Sequence, residues 1–353
     1  MSKTIVLTGG GSGGHVTPNL ALLPYLTERG YEVHYIGTQD GIERQLVQGI
    51  PYHTIRAGRF RRYLSIKNLT DPARTLAGYF DAKKILRELK PSVVFCKGGF
   101  VSVPVAFAAH SLKIPTILHE SDYTPGLANR LCAPRADKIC LSFDVGSERY
   151  GSKAVVTGSP IRGELMRGDR QKGLAFCNLS GRKPVLLVMG GSLGAGALNE
   201  AVDASADAIL DHFSIIHLRG KGNINTYMMG KKEYAQFEYV SQEMPDLFAA
   251  TDIVLSRAGA NAVFEFLALK KPALLVPLPL SASRGDQILN ARFFEKNGYS
   301  MVLEQENLAD GRLMQSLKEL YENRKNYTQA MQSAKAASGT QNVLDVIYSM
   351  EKN

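Results

Sequence analysis

The chain has 353 residues, 44% of them hydrophobic and 21% charged, with a formal net charge of +9. That length suits two ordinary α/β domains, and the composition is that of a globular chain, which excludes a disordered one. The apolar start Ile5-Val6-Leu7 runs straight into glycines, too short for an export signal, and no apolar run approaches the roughly 20 residues of a membrane-spanning helix. Cys96, Cys132, Cys140 and Cys177 show neither C-x-x-C pairing nor metal spacing, which predicts buried free thiols in a reducing cytoplasm.

In chain order, Lys3–Thr8 reads as a strand that ends in glycines, followed by a helix over 18–29 with Thr17 as N-cap and Pro18 at the first helical position. Residues 32–36 form the next strand. Val93–Cys96 is another, followed by Lys97-Gly98-Gly99, a small-residue helix to residue 112 and a strand over 116–119. Strands alternating with helices predict a parallel sheet covered on both faces. The same grammar then restarts: an apolar strand over 184–189, the turn Gly190-Gly191-Ser192-Leu193-Gly194-Ala195, and a helix from about residue 197. Val93 to Gly99 also has an echo in Ile253-Val254-Leu255-Ser256-Arg257-Ala258-Gly259. Two correspondences in the same order imply two related domains, joined near Gly158-Ser159-Pro160. The tail has helical spacing over 312–324 and 327–337, a break at Gly339, and a final helix over 342–350.

The charge is concentrated. Residues 56–90 hold ten basic side chains against the acids Asp71, Asp81 and Glu88, a surplus of seven that leaves two for the rest of the chain. Interleaved aromatic and aliphatic residues give this segment two readings, an amphipathic face at an anionic bilayer or a solvated helix with its apolar side on the core. No recognised nucleic-acid motif accompanies the charge, so no nucleic-acid partner is expected.

Four places carry chemistry. Gly9 to His15 satisfies G-x-G-x-x-G where a strand gives way to a helix, so backbone N–H groups and the helix dipole favour a phosphate or sugar; tight strand–helix packing is the alternative. His15, at the mouth of that turn, is a candidate general base, or a helix-start histidine bonded to its own turn. The second turn adds backbone donors and the Ser192 hydroxyl, suited to a diphosphate. The strongest signal is Arg257-x-Gly259-x-Asn261-x-x-x-Glu265 with Asp286-Gln287 beyond it. Asn261 and Glu265 share a helical face. A lone acid among Ala262, Val263, Phe264, Phe266 and Leu267 needs hydrogen-bond donors, which either a ribose or Arg257 supplies. Asp286 and Gln287 have the donors and acceptors that sugar hydroxyls require.

These blocks, with Gly98-Gly99-Phe100-Val101-Ser102 and His119-Glu120-Ser121, run through nearly the whole chain in the order found in the GT-B glycosyltransferases. More narrowly, the chain resembles the bacterial N-acetylglucosaminyltransferases of cell-wall synthesis in glycosyltransferase family 28. The resemblance implies an α/β fold of two Rossmann-like domains facing across a cleft. Residues 1–161 would form an acceptor-binding, membrane-associating domain, 162–339 a UDP-GlcNAc-binding domain, and 340–353 a terminal helix returning to the first. It implies inverting transfer of GlcNAc from UDP-GlcNAc to the C4 hydroxyl of MurNAc in undecaprenyl-pyrophosphoryl-MurNAc-pentapeptide (lipid I, giving lipid II), with no cofactor and no obligatory metal.

Carried over by residue, Gly11, Ser12 and Gly13 would meet the donor sugar and the acceptor diphosphate, and Arg162 and Ser192 the nucleotide diphosphate. Backbone at Val240 would meet uracil, Ala260, Asn261, Ala262, Val263 and Phe264 would flank the nucleotide, Glu265 would hold ribose and Gln287 GlcNAc. His15 is the first choice of base and Glu120 the second. Asp122 stands where many relatives have asparagine at a position associated with the donor sugar, and Phe100 where others have tyrosine. The implied partners are UDP-GlcNAc, lipid I, the anionic inner leaflet of the cytoplasmic membrane, where the protein would sit peripherally, and proteins of wall synthesis or division. Rival readings are a UDP-GlcNAc 2-epimerase, a non-catalytic sugar-nucleotide-binding scaffold and, more remotely, an NAD(P)-dependent oxidoreductase using Asp40 for its ribose.

Overall fold

In the computed structural model the described residues are 3–58, 67–191, 194–309 and 311–351, with backbone only for 67–70. Arg59, Arg61, Arg62 and the apolar residues among 60–66, which contribute to the basic segment, lie outside them, as does Ser192. The chain divides into two compact units, Met1–Arg162 with Ser338–Asn353, and Gly163–Ala337. The first division thus falls after Arg162 rather than before it, and the second two residues ahead of Thr340.

Among the described residues unit 1 carries seven parallel strands: β1 (Lys3–Thr8), β2 (Tyr31–Gly37), β3 (Tyr52–Thr54), β4 (Val93–Cys96), β5 (Thr116–Glu120), β6 (Lys138–Leu141) and β7 (Ala154–Val156). Their order is β3-β2-β1-β4-β5-β6-β7. Period-two alternation sends β1 to both faces. Val6 packs with Ala82, Leu86 and Val105 on one side. Ile5 and Leu7 pack with Val343, Leu344 and Ile347 of the terminal helix on the other.

Gly339 does not break the tail. It is the first residue of the terminal helix Gly339–Ser349. A Cβ there would lie 2.3 Å from the Ser159 carbonyl oxygen, so the absent side chain lets the helix sit on that backbone. Thr340 Oγ1 exchanges hydrogen bonds with Ile161, and Asn342 Nδ2 donates to the Thr157 carbonyl at 2.8 Å.

Among its described residues unit 2 has six parallel strands: β8 (Val185–Met189), β9 (Ser214–Leu218), β10 (Tyr234–Phe237), β11 (Ile253–Ser256), β12 (Ala273–Leu275) and β13 (Ser300–Val302), ordered β10-β9-β8-β11-β12-β13. In both sheets the strand order reverses beside the first strand of the unit, between β1 and β4 and between β8 and β11. Open parallel sheets bind ligands outside the carboxyl ends of the strands at such a reversal.

One local expectation changes. Thr17 is the first residue of the helix Thr17–Glu28, and Val16 is its N-cap. The Thr17 hydroxyl donates back to the Gly13 carbonyl at 3.0 Å, which binds the glycine turn to the helix without a capping bond.

All four cysteines are buried and free. No helix among the described residues is long and apolar enough to cross a membrane. The described residues hold no cluster of three or more His, Cys, Asp or Glu placed to bind a metal.

Candidate active site

At the reversal in unit 1, two glycine turns meet. Residues 9–15 follow β1 and residues 97–99 follow β4. Gly99, at φ +77°, comes so close to the first turn that a Cβ would lie 2.1 Å from the Gly10 carbonyl oxygen and 3.1 Å from His15 Nδ1. Gly11, at φ +83°, lies under the Phe100 ring, and a Cβ there would be 2.6 Å from Cε1. Both positions need glycine for conformation and for space.

His15 is half-buried at this junction. Its Nδ1 is 3.1 Å from the Gly10 carbonyl oxygen and 3.1 Å from Ser12 Oγ. A carbonyl only accepts, so Nδ1 carries the proton and Nε2 the lone pair. Burial, then the Lys97 charge, hold the ring below its ordinary 6.5 against the opposing pull of the Gly10 bond and Glu43. The imidazole is therefore neutral at pH 7, as a base must be. Of the two alternatives, bonding to its own turn and serving as a base, the geometry accommodates both on different nitrogens.

Glu120 is organised differently. Its carboxylate accepts from the Asp122 N–H at 3.1 Å, the Gly126 N–H at 2.9 Å and Asn129 Nδ2 at 2.8 Å. Burial raises its pKa while those three donors lower it. Glu120 thus fixes the loop after β5, including the backbone of half-buried Asp122. With both oxygens engaged, it is better placed to position that loop than to take a proton.

Two buried ionisable groups carry little mark in the sequence. Glu43 is 0% exposed and accepts from the Gly11 N–H at 3.1 Å, from the Thr38 N–H at 3.2 Å and from the Thr38 hydroxyl. It anchors the phosphate-type turn to the end of β2. Its one signal is a position between Gly37, Gly41 and the apolar 46–47 pair. Lys97 is equally hidden, with Nζ donating to His119 Nδ1 and Ser121 Oγ at 2.6 Å each. His119 Nε2 in turn donates to the Gly158 carbonyl at 3.0 Å. The signal for Lys97 is a lone lysine closing an otherwise apolar strand.

In unit 2, Gly190 to Ala195 follows β8 and Arg257 to Gly259 follows β11. Gly194, at φ +78°, leaves no room for a Cβ, which would lie 2.2 Å from the Arg219 carbonyl oxygen. The helix Ala260–Leu269 begins at the open end of the sheet with Gly259 as its N-cap. Val263, Phe264, Phe266 and Leu267 are buried, while Asn261, Ala262 and Glu265 are half-buried on one helical face.

Glu265 is thus at the rim of the core and not enclosed in it, a correction to the reading of a carboxylate sunk in an apolar helix. The reason is the 3.6-residue period, which sends positions 261 and 265 away from the buried stripe. The other candidate for its partner, Arg257, donates to the carbonyls of Val276 at 3.1 Å and Pro277 at 3.3 Å and to Gln305 Oε1 at 2.7 Å. Arg257 clamps the β12 exit.

The remaining sites are scattered over both units. Val240 and Ala260 are buried, and Arg162 is half-buried at the end of the first segment of unit 1. Gln287, half-buried near the start of Asp286–Lys296, accepts from the Leu278 N–H at 3.2 Å through Oε1, which leaves its amide N–H groups as donors.

Two parallel sheets, each with a glycine turn at its strand-order reversal, define a nucleotide-binding α/β protein of two Rossmann-like units. Residues 5–141 match the glycosyltransferase family 28 N-terminal domain and residues 185–347 the glycosyltransferase family 28 C-terminal domain. A relative from Clostridium botulinum (strain Langeland), named UDP-N-acetylglucosamine–N-acetylmuramyl-(pentapeptide) pyrophosphoryl-undecaprenol N-acetylglucosamine transferase, is 52% identical over 353 residues, covering 99% of this chain and 100% of its own.

Among solved structures, Acinetobacter baumannii MurG superposes with a TM-score of 0.76 at 26% identity, covering 98% of this chain and 99% of its own. The UDP-GlcNAc 2-epimerase from Neisseria meningitidis bound to UDP-GlcNAc reaches 0.68 at 14% identity, with 99% and 100% covered, a likeness of fold alone. The chain belongs to glycosyltransferase family 28 and has the GT-B fold.

Proposed function

We propose that this protein transfers GlcNAc from UDP-GlcNAc to the C4 hydroxyl of MurNAc in undecaprenyl-pyrophosphoryl-MurNAc-pentapeptide, with inversion, the step from lipid I to lipid II in peptidoglycan synthesis. The observation that carries this is 52% identity sustained over the full length of a relative bearing that name. It far exceeds the fold-only likeness to the epimerase.

In this reading the acceptor hydroxyl gives its proton to His15 Nε2 as its oxygen bonds to the anomeric carbon. The bond from that carbon to the UDP oxygen breaks, and UDP leaves with the electron pair. A positioned base supplies on the order of 10²–10⁴ in rate. The negative charge growing on UDP is met by helix N-termini and by Arg162 and Ser192, an electrostatic contribution that is commonly the larger one. Gly11, Ser12 and Gly13 offer backbone and hydroxyl donors to the donor sugar and the acceptor diphosphate.

In unit 2, the Val240 backbone takes uracil, Ala260 to Phe264 line the nucleotide, the half-open Glu265 accepts from the ribose hydroxyls, and Gln287 donates to GlcNAc. Asp122, held by Glu120, is assigned to the same sugar.

The helix Lys67–Leu89 is assigned to an anionic bilayer, where the lipid tail of the acceptor lies. Its side chains Leu76 and Phe80 are each 60% exposed, and Lys84 and Arg87 continue the same exposed stripe. Peripheral attachment at the cytoplasmic face, and contacts with proteins of wall synthesis or division, belong to the same proposal.

The decisive test is donor turnover with a lipid I analogue, the product linkage being read by NMR. A new β-1,4 bond from GlcNAc to MurNAc is expected, and release of UDP-ManNAc without acceptor would refute the transfer reading. The nucleotide site is tested separately with Glu265→Ala. UDP affinity should fall about tenfold with the fold intact, since hydrogen bonds to a charged group are worth roughly that much. Unchanged affinity removes the ribose assignment.

A further inference from the structure

Beside the glycine turns of unit 1 lies a cavity of about 490 Å³ that the reaction above does not use. Its wall includes Thr38 and Asp40 beyond β2, Arg56 beyond β3, Asp71 and Arg74 from the helix Lys67–Leu89, and Phe100, whose ring covers Gly11. The cavity therefore adjoins the turn that carries His15.

Its charges are unevenly spent. Arg56 is paired with Asp81 through two of its donors, with Nη2 2.6 Å from Oδ1 and Nε 2.8 Å from Oδ2. Arg74 and Asp40 are exposed and have no ion-pair partner among the described residues. Asp71 is only 5% exposed, and its Oδ2 is shielded from solvent with no hydrogen-bond partner among the described residues. A buried carboxylate oxygen without a donor is costly, and a ligand N–H or ammonium relieves that cost.

The charged groups without an ion-pair partner among the described residues are thus the carboxylates of Asp40 and Asp71 and the guanidinium of Arg74. A diphosphate would face two carboxylates. A simple cation would face Arg74. A neutral sugar would leave the charges unused. A short peptide, with amide or ammonium N–H groups and a free carboxylate, complements all of them, and the size falls within the usual range for ligand pockets.

We propose that this cavity is the subsite for the peptide arm of the acceptor, with Asp71 and Asp40 taking its N–H groups and Arg74 its terminal carboxylate. The assignment rests on the acceptor reading above, in which the acceptor carries a pentapeptide. The cavity's position beside Phe100 and Gly11 would then orient the acceptor sugar from one side while the glycine turns hold its diphosphate.

The test is steady-state transfer to two lipid-diphosphate MurNAc acceptors, one bearing the pentapeptide and one without it. For Asp40→Asn and Arg74→Gln, the ratio of KM for the peptide-bearing acceptor to KM for the peptide-free one should rise about tenfold, the loss expected of one charge-assisted bond. Amidating the peptide C-terminus should raise the wild-type ratio similarly and cancel the effect of Arg74→Gln.

Equal KM ratios in wild type and both exposed variants would overturn the subsite. Asp71→Asn is followed by thermal melting as well, because a folding defect would lower turnover with both acceptors. Asp40 and Arg74 therefore decide the question, since both are on the surface and neither is needed for the core. If the unaltered protein transfers GlcNAc to neither acceptor, the acceptor reading itself fails and takes the subsite with it.

Discussion

His15 Nδ1 lies 3.1 Å from the Gly10 carbonyl oxygen, so the ring is pinned by its own turn and presents Nε2 as its basic nitrogen. His15→Gln keeps a hydrogen-bonding side chain but removes the base. kcat should fall by about 10²–10⁴ while UDP affinity stays within about twofold. Single-turnover rates and UDP titration check this, and a kcat near wild type would move the role elsewhere. Because burial and Lys97 depress the ring's pKa, the acid limb of the kcat/KM profile should lie below the ordinary 6.5. As pH falls through the folded-state value the base is protonated and activity drops.

Gly99 packs against the first glycine turn with no room for a side chain. Gly99→Ala places a Cβ about 2.1 Å from the Gly10 carbonyl oxygen and imposes φ +77° on a residue that disfavours it. The turn carrying His15 must then shift. Thermal melting should show a loss of at least about 1–2 kcal/mol, in the range typical of a strained backbone position. Transfer should fall further than stability alone explains. A variant that melts and turns over like wild type would contradict the packing described.

Lys97 gives a pH signature in stability. Burial pushes its pKa from 10.5 down to about 7, against the pull of Glu120 and Asp122. Between those two values the unfolded chain holds a proton that the native chain has released, so this group makes stability rise with pH across that window. Its slope is at most about 1.4 kcal/mol per pH unit. Lys97→Met should flatten the difference in unfolding free energy between pH 7 and pH 9 relative to wild type. Equal slopes in denaturant melts would show that Lys97 keeps its charge when folded.

Leu76 and Phe80 test the membrane assignment without touching the glycine turns. Leu76→Ser with Phe80→Ser should weaken the affinity for vesicles containing anionic phosphatidylglycerol, read by sedimentation, by about a hundredfold, since each buried apolar side chain is worth roughly 1.5–3 kcal/mol. Raising the salt should weaken what remains, through Lys84 and Arg87. Binding that is indifferent to both changes makes this helix a solvated face.

Chain order alone carries much of the architecture. Lys3–Thr8 and Val93–Cys96 are strands with the bounds their composition predicts, because a run of apolar β-formers ended by glycine leaves little choice. The paired glycine turns and the Asn261–Glu265 spacing are equally visible, since local periodicity decides which residues share a face.

What the sequence leaves open is decided by distant approaches. The apolar neighbours of Glu265 predict burial, yet it sits at the rim. Gly339 predicts a break but starts a helix, because the Ser159 backbone, far away in sequence, needs its missing Cβ. Glu43 and Lys97 gain their importance only when strand pairing brings β2 against β1 and β4 against β5. Local preference writes the elements, but the burial of an ionisable group, and hence its charge state, depends on what packs over it. That is set by contacts between residues far apart in the chain, which the sequence alone does not rank.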